Sequence, residues 1–186
     1  MRKIILFINV SVDGFFEGPN RELDWSAPGD EVLSHFNEAL APMGAFLYGR
    51  AVYELLAEYW PTVDTSPENT GPVADYARIW TNMPKIVFSK TLERVDWNST
   101  IKREVVVEEI NALKAEPGGD LSIGGSDLAA TFIEHDLIDE YRIYVHPVVI
   151  GRGNPMFKPS DAKIDLQLVE TKTFGNGVVL LRYQRE

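Results

Sequence analysis

The stretch Leu121-Ser122-Ile123-Gly124-Gly125-Ser126-Asp127-Leu128 passes from a short apolar run through a glycine pair into a segment that reads as a helix, Ser126 to His135. A strand–glycine–helix junction of this kind is the repeating joint of a parallel α/β sheet. Glycines let a ligand come close to the backbone, and the free N–H groups at a helix start attract phosphate. The same junction also serves as a plain turn before a capped helix. On its own the stretch leaves both readings open.

Two further junctions lie upstream. Phe46-Leu47-Tyr48-Gly49-Arg50 closes a short strand at Gly49 and opens a helix over Ala51–Glu58, and Arg50 adds a planar donor fork suited to phosphate. The alternative is a surface arginine after a turn. Val87-Phe88-Ser89-Lys90-Thr91 ends a strand in two hydroxyls flanking a lysine, a group able to hold a further phosphate, although Ser and Thr are common after strands. Three crossover strands thus end in small or cationic residues. In a parallel sheet the C-terminal strand ends line the ligand crevice, so a nucleotide is the expected occupant.

The rest of the chain extends this pattern. Lys3–Val12 is nearly all apolar and β-branched, which predicts a central strand buried on both faces, ended by Asp13-Gly14. Asp30 is placed to cap a helix whose Val32, Leu33, Phe36 and Leu40 share one face. Pro61–Pro72 is irregular, and Pro72 opens a helix toward Trp80. Lys85–Ser89 is a strand. Val105–Lys114 joins a β-branched start to helix formers and stays ambiguous. Glu140–Ile150 reads as one long strand, and Leu166–Phe174 with Val178–Tyr183 as a hairpin around Gly175-Asn176-Gly177. The expected architecture is α/β: a mostly parallel central sheet, helices on both faces and an antiparallel C-terminal hairpin, in one domain spanning residues 1–186.

Composition narrows the partners. The 186 residues are 45% hydrophobic, enough to bury a real core. The formal net charge of -10 repels phosphate backbones, which disfavours nucleic acid. No apolar run reaches the length of a membrane span. Asn9, Ser11 and Asp13 interrupt the N-terminal apolar run too early for a signal peptide, so a cytoplasmic location is expected. With no cysteine, disulfides, thiolate catalysis and cysteine zinc sites are excluded. His35, His135 and His146 lack metal-ligand spacing, so no metal is expected. No G-x-G-x-x-G follows the first strand and no G-x-x-x-x-G-K-[ST] occurs. Leu128 occupies the position where a G-x-S-x-G elbow needs its last glycine.

In order and spacing, the motifs resemble the RibD C-terminal-domain family of the dihydrofolate reductase superfamily. The resemblance spans nearly the whole chain. It rests on Ser11-Val12-Asp13-Gly14, Gly49-Arg50-Ala51-Val52-Tyr53-Glu54, Ser89-Lys90-Thr91-Leu92 and Ile123-Gly124-Gly125-Ser126-Asp127-Leu128. Leu137-Ile138-Asp139-Glu140 leading to Pro147-Val148-Val149-Ile150-Gly151-Arg152-Gly153 completes the set. It implies a three-layer dihydrofolate reductase-like fold, NADPH as cofactor and, by likeness to the related reductases, a homodimer. It places the backbone of Asn9 and Val10 at the nicotinamide and Gly49 and Arg50 at the phosphates. Ser89, Lys90 and Thr91 would surround the 2'-phosphate, and Gly124, Gly125, Ser126, Asp127 and Leu128 the pyrophosphate. Substrate-side candidates are Asp13, Trp25, Tyr53 and Trp60. Asp30 and Glu31 lie roughly where dihydrofolate reductases keep a proton-handling carboxylate, and Asp13 is a third catalytic candidate; a helix-cap role for Asp30 competes.

Two departures bear on substrate. Met83-Pro84 stand where dihydrofolate reductases carry the arginine that holds the folate carboxylate. Ile123 stands where riboflavin-pathway reductases usually carry a substrate-contacting glutamate. The implied activity is NADPH-dependent reduction of the riboflavin-biosynthesis type, on 5-amino-6-(5-phosphoribosylamino)uracil or a related small heterocycle. The competing expectations are a dihydrofolate reductase, which Met83-Pro84 disfavours, and a nucleotide-binding protein without turnover on the same fold.

Overall fold

The computed structural model describes residues 1–26, 28–160 and 163–185. In chain order the elements are β1 (Ile4–Ser11), β2 (Phe15–Glu17), α1 (Gly29–Leu40), β3 (Ala45–Gly49), α2 (Arg50–Tyr59), a 3-10 turn (Trp60–Thr62), α3 (Pro72–Asn82), β4 (Lys85–Phe88) and β5 (Ser99–Lys102). They continue with α4 (Val107–Ala115), β6 (Leu121–Gly124), α5 (Ser126–Glu134), β7 (Glu140–His146), β8 (Asn154–Pro155), β9 (Leu166–Thr173) and β10 (Val179–Arg185). The main sheet has eight strands in the order β5-β4-β3-β6-β1-β7-β10-β9. From β5 to β7 every pairing is parallel, while β10 runs antiparallel to both β7 and β9. The fold is the mixed α/β, three-layer arrangement expected, with a mostly parallel centre and an antiparallel C-terminal hairpin.

β1 shows why the sheet is covered on both sides. Ile4, Leu6, Ile8 and Val10 belong to the core on one face, and Ile5 and Phe7 to the core on the other. Side chains alternate along a strand, so an unbroken apolar run from Ile4 to Ile8 leaves no side for water. α4 and α5 cover the first face through Ile110, Leu128, Ala129 and Phe132. α1, α2 and α3 cover the second through Val32, Leu33, Phe36, Leu40, Tyr53 and Trp80. Val32, Leu33, Phe36 and Leu40 recur at helical spacing and are all buried.

Two expectations need correction, and two segments left open are settled. The long strand from Glu140 stops at His146 rather than Ile150. Pro147 has no N–H for the ladder, and the Val148 N–H turns back to the His146 carbonyl at 2.7 Å. Asp30 does not cap α1: the cap position is Pro28, no side chain caps it, and Asp30 sits in the first turn, where its charge suits the helix dipole. The ambiguous 105–114 segment resolves into α4, starting at Val107. β5 is a strand that no sequence pattern marks; Trp97 and Asn98, at φ +59° and +55°, make the turn that feeds it back along β4.

Candidate functional site

A cleft of about 810 Å³ opens at the C-terminal ends of the parallel strands. Ile8 and Asn9 of β1, Tyr48 and Gly49 of β3, Phe88 of β4 and Gly124 of β6 line it. The first residues of α2 and α5 also line it, Arg50 and Ala51 from one and Ser126, Asp127 and Leu128 from the other. The cap positions are Gly49 and Gly125, and neither helix start has a side-chain cap. Their first N–H groups are therefore left for solvent or a ligand, and the helix dipoles favour an anion there.

Gly125 is required by its geometry. Its φ is +92°, and a Cβ there would lie 2.7 Å from Val52 Cγ2. A side chain would be strained by the backbone and would push against α2 where the two helix starts converge. Gly124 is less tight, with a Cβ position 3.3 Å from Tyr48 Cε1, so Tyr48 would have to give by a few tenths of an ångström. Asp127 brings an unfavourable charge for an anion, but Lys158 at 3.0 Å and Arg21 at 3.9 Å offset it.

The third junction joins the same edge. Arg50 Nη1 donates to Thr91 Oγ1 at 2.8 Å, and Arg50 Nε pairs with Glu54 at 2.9 Å. Ser89 Oγ accepts the Leu92 N–H at 3.0 Å and the Thr91 N–H at 3.3 Å, which closes the turn after β4. Lys90 is exposed on that turn and makes no ion pair among the described residues. Ser89, Lys90 and Thr91 lie outside the cleft lining, and Arg50, which lines it, joins them to it through Thr91.

The other sequence candidates scatter. Val10 is in the core on the α4–α5 face. Tyr53 is buried, and its hydroxyl donates to the Asp96 carbonyl at 3.1 Å and accepts the Asp96 N–H at 2.9 Å. Trp60 lies outside the cleft lining, stacked on Tyr76 with centroids 4.3 Å apart. Asp13 accepts the N–H groups of Gly151 at 2.8 Å and Ile150 at 3.2 Å, so it pins the loop after β7. The Ser11 hydroxyl, with those two N–H groups, holds the Asp13 carboxyl below its ordinary range. Glu31 accepts the Gly175 N–H at 2.8 Å and ties α1 to the C-terminal hairpin, while Asp30 is exposed. Ile123 is fully buried, so the position of the expected glutamate belongs to the core. Met83 is buried too, and Lys85, the cation nearest to it in sequence, points inward to the carbonyls of Met83 and Trp97 at 2.9 and 2.8 Å.

His146 was passed over as an ordinary strand residue. It ends β7 beside β1, is 3% exposed, and its Nε2 lies 2.9 Å from Asn9 Oδ1. The ring of Trp25 meets its ring edge-on at 5.7 Å. Burial lowers its pKa, so the ring is neutral at pH 7 and suited to donate Nε2–H to that oxygen. The pairing spans 137 positions of sequence and depends on the β1–β7 register. No local signal marks it.

Residues 2–180 match the RibD C-terminal domain family. The uncharacterized protein YyaP of Bacillus subtilis (strain 168) is 37% identical over 186 residues, covering 98% of this chain and 94% of that protein. A Shewanella sp. PV-4 protein named for riboflavin biosynthesis superposes with a TM-score of 0.75 at 21% identity, over 100% of this chain and 99% of that one. The dihydrofolate reductase of Enterococcus faecalis, solved with NADP(H), superposes at 0.67 and 18% identity, over 99% and 96% of the two chains. At those identities the two structures bear on the fold alone. With a match along nearly its whole length, the chain belongs to the RibD C-terminal domain family.

Proposed function

We propose that the protein is an NADPH-dependent reductase of a small nitrogen heterocycle, related to the 5-amino-6-(5-phosphoribosylamino)uracil reductases of riboflavin synthesis. The observation that carries this is the convergence of two uncapped helix starts on one cleft, across a glycine where any side chain is strained and presses on Val52. The α5 start and Gly124-Gly125 would take the pyrophosphate. Arg50 would face the phosphates, and Ser89, Lys90 and Thr91 the 2'-phosphate. The bound nicotinamide supplies the hydride.

The chain's own part is position and exclusion of water. Asn9 borders the cleft, and its carboxamide oxygen is engaged by His146. That leaves the Asn9 Nδ2 hydrogens to hold a carbonyl or ring nitrogen of the ligand. Trp25 meets the His146 ring edge-on. Asp13 and Glu31 are engaged by backbone N–H groups, so neither is assigned the proton.

Folate fits poorly. Neither Met83 nor the inward-turned Lys85 can grip a carboxylate, and losing such a partner costs about 2–5 kcal/mol of binding. The test is the steady-state rate of NADPH oxidation. Ribosylaminouracil, with or without its phosphate, should give a higher kcat/KM than dihydrofolate. Dihydrofolate turnover with a low-micromolar KM would overturn the reading.

A further inference from the structure

The cleft has two chemically different parts. Its charged lining residues, among those described, are Glu17, Arg21, Arg50, Glu54 and Asp127. Each cation in that set already faces a carboxylate, Arg21 on Asp127 at 3.9 Å and Arg50 on Glu54 at 2.9 Å. Glu17 is buried and accepts from Asn154 Nδ2 at 2.6 Å. The wall built by the α1–α3 face is different. There the cleft is bounded by Phe7, Phe36, Leu40, Tyr48, Leu56 and Tyr76.

That wall is shaped and fixed. Phe7 and Phe36 meet edge-on, with centroids 5.0 Å apart. Tyr76 is held by its stack on Trp60, which packs in turn on Tyr59 at 4.9 Å. The phenols of Tyr48 and Tyr76 are the polar groups these six residues offer. Burial pushes the Tyr76 phenol up to about 12 and holds the Tyr48 phenol well above its ordinary range, so both stay neutral.

We propose that this wall selects a substrate whose body is uncharged and planar, gripped by aromatic faces and edges, and carrying no phosphate. The proposal rests on the cofactor reading above and narrows its substrate class. Aromatic rings favour offset or edge-to-face contact with another π system. A phosphate placed here would lose its water and meet no cation in return. Phosphate-binding groups belong to the helix-start side, where the dinucleotide would use them. The substrate is thus an unphosphorylated planar heterocycle. Within the riboflavin-type chemistry, the nucleoside rather than the nucleotide is the form that fits.

Calorimetric titration of the NADP⁺-saturated protein with three probes tests this. The probes are quinoxaline, an uncharged bicycle with C=N bonds; uridine; and uridine 5'-monophosphate. Quinoxaline should bind, and uridine 5'-monophosphate should bind no tighter than uridine. Tyr76→Ala should weaken quinoxaline by about tenfold or more with NADP⁺ affinity unchanged. Leu56→Lys places a cation on the wall and should give the monophosphate an advantage of about tenfold over uridine. A tenfold advantage for the monophosphate on the unmodified protein would overturn the proposal, as would quinoxaline binding that ignores Tyr76→Ala. Failure of NADP⁺ itself to bind would instead remove the cofactor reading beneath it.

Discussion

Gly125 is the residue on which the cleft turns. Any L-residue there adopts a disfavoured φ, at a cost of about 1–2 kcal/mol, and its Cβ meets Val52. Gly125→Val should lower thermal stability by that order and abolish NADPH binding. Circular dichroism melting and tryptophan fluorescence titration check the two effects separately. Unchanged affinity in the folded variant would make this turn a plain connector. Lys90 tests the other end. It stands exposed and without an ion pair among the described residues, so Lys90→Ala should narrow the gap between NADPH and NADH by about 1–3 kcal/mol, the worth of a charge-assisted hydrogen bond. Glycine junctions and cations of this kind are legible in sequence because their chemistry is local. The Asn9–His146 pair is not, because neither residue's neighbours in sequence report the register that joins them.

At the scale of elements, β7 and β10 are bound through one buried carboxylate. Glu140 is 1% exposed and accepts from Arg142 Nε at 2.7 Å and Arg182 Nε at 2.8 Å. Burial alone would raise its pKa, but the hydrogen bonds from Arg182 and Arg142 outweigh it and hold the group at about 2. The folded pKa lies below the ordinary value of 4.5, so this stabilisation is complete above that value and lost as pH falls toward 2. It amounts to roughly 3 kcal/mol. Urea midpoints between pH 6 and 2.5 should fall steeply below about pH 4.5, and Glu140→Gln should flatten that limb. An unaltered limb in the variant would assign the acid sensitivity elsewhere. The strands themselves were legible where period and length were strong, as in β1 and the hairpin. β5 escaped notice because four partly exposed residues, Ser99-Thr100-Ile101-Lys102, carry almost no pattern. The end of β7 was misplaced because Val148-Val149-Ile150 continues its apolar character past Pro147, where the regular ladder ends.

At the scale of the whole molecule, the sheet ends in an open edge. Among the described residues β9 pairs only with β10, and Leu168 and Val169 on it are 51% and 45% exposed. Edges of this kind call for cover, and we expect a homodimer. Sedimentation at micromolar concentration should give about twice the 20.9 kDa monomer mass, and a monomer mass would count against it. The net charge of -10 bears on the ligand as well. It opposes approach of any anion, so cofactor affinity depends on the few cations and helix starts placed at the cleft. The most direct test of the account is therefore the pair of affinities for NADPH and NADH, measured by fluorescence titration on the unmodified protein. NADPH should bind more tightly by about tenfold or more, as one charge-assisted contact to the extra phosphate requires. Equal affinities, or no binding of either, would contradict it.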